Sequence, residues 1–186
     1  MRSRVKSKQE KRRTVIKWMI YSLMIALAYV LMTTIHGSFP TPLLLMAIPI
    51  CISAWESEMT SAVTGGVCGL MLDSACGKLI GFNGIIVMCM CMVISLLFIH
   101  YLRKNLLNIL LIGAAALLLH SGLDFLFFYA IWGESGKIYS SIMLPSMIAT
   151  MVSIGLIYEF VKLLANRFGL IEEYYLEEKN ENIIRE

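Results

Sequence analysis

Charge is scarce in this chain, and where it occurs it is segregated. Only 16% of the 186 residues are charged and 58% are hydrophobic, whereas soluble domains run nearer a quarter charged and half apolar. Residues 1–17 hold eight basic side chains (Arg2, Arg4, Lys6, Lys8, Lys11, Arg12, Arg13, Lys17) against one acid, Glu10. Residues 170–186 hold six glutamates against Lys179 and Arg185. The long stretches between carry almost no charge. That distribution excludes an ordinary soluble domain and marks an integral membrane protein. A net charge of +3 is then no argument for nucleic acid. The basic arm is expected to lie against anionic lipid, where each Lys or Arg contributes about 1 kcal/mol.

Other shortages exclude chemistry. The five cysteines (51, 68, 76, 89, 91) form no C-x-x-C pair, so they read as small buried apolar residues rather than metal ligands or disulfides. The run TGGVCGLMLDSACGKLIGF (64–82) has the look of a phosphate loop but lacks its parts. A glycine is needed five residues before Gly77-Lys78, and a Ser or Thr after it; Leu72 and Leu79 stand there. Three histidines lie on separate apolar segments with no nucleophile, base and orienting group around any of them. The expectation is a non-enzyme without metal or cofactor. The basic start does not read as a signal peptide, because the apolar run Val15–Ile35 is too long and no small-x-small cleavage site follows.

What is present is a series of apolar runs, near 15–36, 39–54, 59–73, 80–100, 106–131 and 138–165. They predict an all-α bundle of about six transmembrane helices. Pro40 and Pro42 lead the second run, and Pro49 and Pro145 lie within runs and are expected to kink them. The excess of basic residues orients the bundle. The arm, Arg103-Lys104, Lys162 and Arg167 become cytoplasmic, leaving Lys78 and Lys137 outside. Three regions follow: a basic cytoplasmic arm (1–14), a six-span domain (15–168) and an acidic cytoplasmic tail (169–186). Glu56, Glu58 and Glu134 read as solvated loop charges.

The glycine run reads as a packing surface. Gly65 and Gly69 share a helix face, with Ala62 and Gly66 as a second small pair beside them; such faces let backbones approach closely in lipid. The face serves either the chain's own bundle or a partner's helix. Asp73 is expensive in a membrane; near the outer end of its run it either reaches headgroups or caps the following turn, or else finds a partner inside. His120 and Asp124, four apart on the fifth run, supply a candidate, predicting a membrane polar cluster of Asp73, His120, Ser121 and Asp124.

The order FPTPLLLM (39–46), WESE (55–58), G-x-x-x-G-L-x-x-D (Gly65 to Asp73) and G-x-x-x-G-F-x-G (Gly77, Gly81, Gly84) resembles the MreD family of bacterial rod shape-determining membrane proteins. Thr41-Pro42 replaces the family's Pro-Asp or Pro-Asn pair, and the turn carries two glutamates where basic residues are usual. The resemblance implies a scaffold in lateral wall synthesis, beside an MreC-like protein and, through it, MreB, a RodA-type glycosyltransferase and a class B penicillin-binding transpeptidase. It also implies a fold like the substrate-binding subunits of energy-coupling-factor transporters. A vitamin-type transporter subunit is therefore the alternative function.

Overall fold

The structure, a computed structural model, describes residues 2–34, 43–77, 79–130 and 136–168. The acidic tail, residues 39–42, Lys78 and Glu134 lie outside the described residues. Those described are helical or in short turns, with no strand among them. Helix α1 spans Arg2–Thr34, α2 Leu44–Ser53, α3 Glu58–Cys76, α4 Phe82–His100, α5 Leu106–Asp124 and α6 Gly136–Phe168. A π-helical turn, Phe125–Ala130, continues α5.

The six expected helices are there, but they are not six equivalent spans. Thr14–Thr34, Phe82–His100, Leu106–Phe127 and Leu144–Ala165 are long and apolar enough to cross a membrane. The 10 residues of α2 extend about 15 Å, half the thickness of a hydrocarbon core. In α3 the length suffices at 19 residues, but its glycines, Thr60, Thr64, Ser61 and Asp73 dilute its hydrophobicity.

The short helix is the axis of the bundle. Every residue from Leu45 to Ser53 is buried, and α1, α3, α4, α5 and α6 all pack around it. Met46, Ile50 and Cys51 join Val87, Phe98, Leu117 and Ile154 in one core cluster. Leu45, Ile48 and Ile52 join Tyr21, Ile25, Cys68 and Leu72 in another. Pro49 lies inside this helix, and Ser53 Oγ donates to the Pro49 carbonyl at 2.7 Å. That bond satisfies a hydroxyl with no access to water. The outer helices show apolar exposed stripes, as with Met19, Leu23 and Leu27 on α1 and Ile148, Val152 and Leu156 on α6. Their spacing of three to four residues turns one continuous face outward, as lipid contact requires.

Side-chain pairs fix which helix ends lie together. Lys17 of α1 meets Glu56 in the α2–α3 turn. Tyr158 of α6 stacks on Trp55 of that turn and donates from its hydroxyl to the Lys104 carbonyl before α5. The start of α1 and the end of α6 therefore leave the bundle at one end. Helix α1 runs without a break from Arg2 through the candidate span that begins at Thr14.

Candidate functional site

The glycine run forms α3 and is covered by α4. A β-carbon on Gly65 would stand 2.8 Å from Val87 O and from Cys91 Cβ, and one on Gly69 would stand 2.5 Å from Asn83 O. As α3 advances from 65 to 69, its neighbours on α4 retreat from 91 to 83, so the two helices are antiparallel. Gly66 is looser, with the nearest atoms of Met88 at 3.7 Å from its ideal β-carbon position. Ala62 is buried. Within the chain, α4 packs closely against this face at Gly65 and Gly69.

Glycine is also required at the connection. Gly77 (φ 62°) ends α3 and Gly81 (φ 101°) precedes α4, both in the left-handed region, which costs a residue with a β-carbon about 1–2 kcal/mol. The tight return brings the start of α4 back to Asp73. The Gly81 N–H donates to Asp73 Oδ2 (2.8 Å), the Asn83 N–H to Oδ1 (3.2 Å) and the Gly84 N–H to Oδ2 (3.4 Å). An α-helix begins with unpaired N–H groups and a partial positive charge. A carboxylate from the preceding helix satisfies both. Asp73 is fully buried, so it reaches no headgroup. It is the cap of the following turn, the first of the two readings its position allowed.

His120 is drawn to the same place by Asn83, whose Oδ1 lies 2.8 Å from His120 Nε2. The link from Asp73 to His120 thus passes through Asn83 rather than through direct contact. Ser121 and Asp124 are buried beside His120 on α5, where the helix widens into its π-helical turn. Phe127 in that turn meets Phe82 edge to face at 5.0 Å between centroids, closing α5 onto α4. Asn83 is 0% exposed and its Nδ2 has no hydrogen-bond partner among the described residues. It was not anticipated, although a lone amide opening the apolar run FNGIIVMCM, ten residues after Asp73, was a readable signal.

A second polar group occupies the opposite end. Lys17 Nζ lies 2.8 Å from Glu56 Oε1 and donates to Oε2 at 3.0 Å, while Tyr21 OH donates to Oε1 at 3.2 Å. Ser95 Oγ donates to the Glu56 carbonyl at 2.8 Å. Lys104 Nζ sits 4.9 Å above the Trp55 ring. Glu56 is therefore no solvated loop charge; its side chain is 8% exposed, and it ties α1 to the α2–α3 turn. Its partner sits 39 residues away, a distance at which sequence spacing carries no pairing information.

Among the described residues no three His, Cys, Asp or Glu side chains are placed to hold a metal ion. The polar groups of both ends join helices to one another. A family model described as rod shape-determining protein MreD matches residues 11–168. The chain belongs to the MreD family. Membership implies a role in rod shape determination, in a multi-pass membrane protein. The match takes in α1 from Lys11 onward and α2 to α6 entire, so the Asp73 cap and the Lys17–Glu56 pair both lie inside the MreD region. No curated protein and no solved structure matches the chain.

Proposed function

We propose that this MreD-family chain is a non-enzymatic scaffold of the complex that builds the lateral wall in rod-shaped bacteria. Both termini are cytoplasmic in this reading, because the basic excess of the arm, Arg103-Lys104 and Arg167 collects at the end where the termini emerge. The observation that carries it is the family match across residues 11–168. The geometry supports it: the polar side chains of the bundle are used to hold helices together, and Leu45, Met46, Ile50 and Ile52 of α2 occupy the centre. No observation favours the transporter-subunit alternative. The partner is an MreC-like membrane protein, and through it MreB, a RodA-type glycosyltransferase and a class B penicillin-binding transpeptidase. With α3 covered by α4, that partner meets the lipid-facing stripes or the bundle ends rather than the glycine face.

Depletion in a rod-shaped host that depends on the protein tests this reading. Rounded cells, and co-purification with MreC-like and RodA-like proteins from the undepleted strain, are expected. Co-purification with an energy-coupling ATPase and a retained vitamin would overturn it.

A further inference from the structure

The short connection from α4 to α5 is held from the inside. The Arg103 carbonyl accepts from the Asn105 N–H and from Asn108 Nδ2, each at 2.8 Å. The Lys104 carbonyl accepts from the Tyr158 hydroxyl at 2.8 Å. Leu102 packs against the main core cluster, and Lys104 Nζ lies 4.9 Å above the Trp55 ring. With the backbone fixed in this way, His100, Tyr101 and Arg103 stay exposed. Tyr101 is the most open at 82%, with the His100 ring edge-on against it. Arg103 forms no ion pair among the described residues. Residues 99–108 include His100, Arg103 and Lys104 and no acid.

Next to this polar edge the surface turns apolar. Ile99 near the end of α4 and Leu106 and Leu107 at the start of α5 are exposed, and Leu107, Leu111 and Leu118 continue along one side of α5. An exposed cation, a tyrosine and a leucine stripe, in that order, match the headgroup, interfacial and acyl layers of one leaflet. A guanidinium presents parallel N–H donors that fit two oxygens of a phosphate. A free anion or an acidic protein segment would use the arginine and leave the stripe uncovered. A phospholipid covers both.

We propose that the α4–α5 connection is a binding site for an anionic phospholipid. The phosphate meets Arg103, and the acyl chains lie along Leu107, Leu111 and Leu118. Lys104, seated over Trp55, adds positive charge beside it. The site needs neither the basic N-terminal arm nor a particular orientation of the chain in the membrane.

The test places the photoreactive residue p-benzoylphenylalanine at position 107 of the full chain, in discs of phosphatidylcholine and phosphatidylglycerol in equal amounts. Mass spectrometry after illumination is expected to show phosphatidylglycerol adducts in severalfold excess. Arg103→Gln should bring the two adducts level at an unchanged melting temperature, and Arg103→Lys should keep part of the preference. Equal adducts in the parent chain overturn the proposal, as does an excess that survives Arg103→Gln. Three comparisons separate the other sources. Changing the seven bases of residues 2–13 to Gln should keep the excess; its loss would assign the enrichment to the arm. Inorganic phosphate in large excess should leave it intact; its loss would mean a site for the free anion. In native membranes the adducts should again be lipid; adducts to protein would mean an acidic partner. Any of these three contrary results overturns the site.

Discussion

Gly69 of α3 and Gly84 of α4 meet so closely that a β-carbon on Gly69 would stand 2.7 Å from Gly84 Cα. The neighbouring atoms are backbone, so neither helix can yield by turning a side chain. In hydrocarbon this contact is driven by packing alone, and it sets the register in which Asp73 finds the amides of α4.

Gly69→Ala is therefore expected to destabilise the purified protein by about 1–3 kcal/mol, the usual cost of overpacking, and Gly69→Leu by more. Gly66→Ala should be near neutral, because its closest neighbour is the movable side chain of Met88 at 3.7 Å. Thermal unfolding in detergent compares the three. In a host that depends on the protein, Gly69→Leu cells should round up with lowered protein levels. Equal melting temperatures for Gly69→Ala and Gly66→Ala would falsify the close contact.

Asp73→Ala removes the acceptor of three amides at the start of α4. A lost helix cap costs about 0.5–2 kcal/mol, and buried orphan donors add to it. Asp73→Asn keeps one acceptor oxygen and should lose less. Hydrogen exchange at Gly81, Asn83 and Gly84 is the direct readout: it should quicken most in the alanine variant, while amides at the far end of α4 change little.

Lys17→Met strands Glu56, whose carboxylate keeps only the Tyr21 hydroxyl bond. Breaking one side of a buried pair costs about 3 kcal/mol. Glu56→Gln in the Lys17→Met background should recover part of that loss, because the stranded charge is gone. A double-mutant cycle on unfolding free energies measures the coupling. Strict additivity would show that the pair contributes nothing to joining α1 to the turn.

Cysteine labelling reports both packing and orientation. Cys51, Cys68 and Cys91 are buried, whereas Cys76 is exposed at the end of α3 and Cys89 on α4. A membrane-impermeant maleimide should modify Cys76 rapidly. Cys89 lies about 10 Å along α4 from Phe82, on a lipid-facing side, and should react slowly. The three buried thiols should react only after denaturation. With cytoplasmic termini, Cys76 faces the outside, so spheroplasts should label without permeabilisation. Labelling that requires permeabilisation would place the termini outside.

The membrane class, the all-helical fold, the order of helices and the family were legible in the sequence because each rests on local pattern. Apolar runs of about 20 residues have one solution in lipid, since backbone groups must pair within their own segment. The glycine face was legible for a related reason, because four-residue spacing defines a helix side wherever the helix goes. What occupies that face was not legible. Whether α4 or another protein's helix covers Gly65 and Gly69 depends on how the Gly77–Gly81 connection returns the chain, and two left-handed glycines decide that. Asp73 shows the same division. Its cost in a membrane was plain, but the amides that settle it exist only once α4 starts beside it. Asn83 of the first turn of α4 is bonded to both Asp73 and His120, a placement that only the antiparallel return of α4 supplies. Glu56 read as solvated because it lies in a short loop between two apolar runs. Its burial comes from Lys17 and Tyr21, brought by α1, and only the tertiary structure supplies that neighbour. The shortness of α2 belongs here too: its apolar run promised a span, and packing by five helices made it the core.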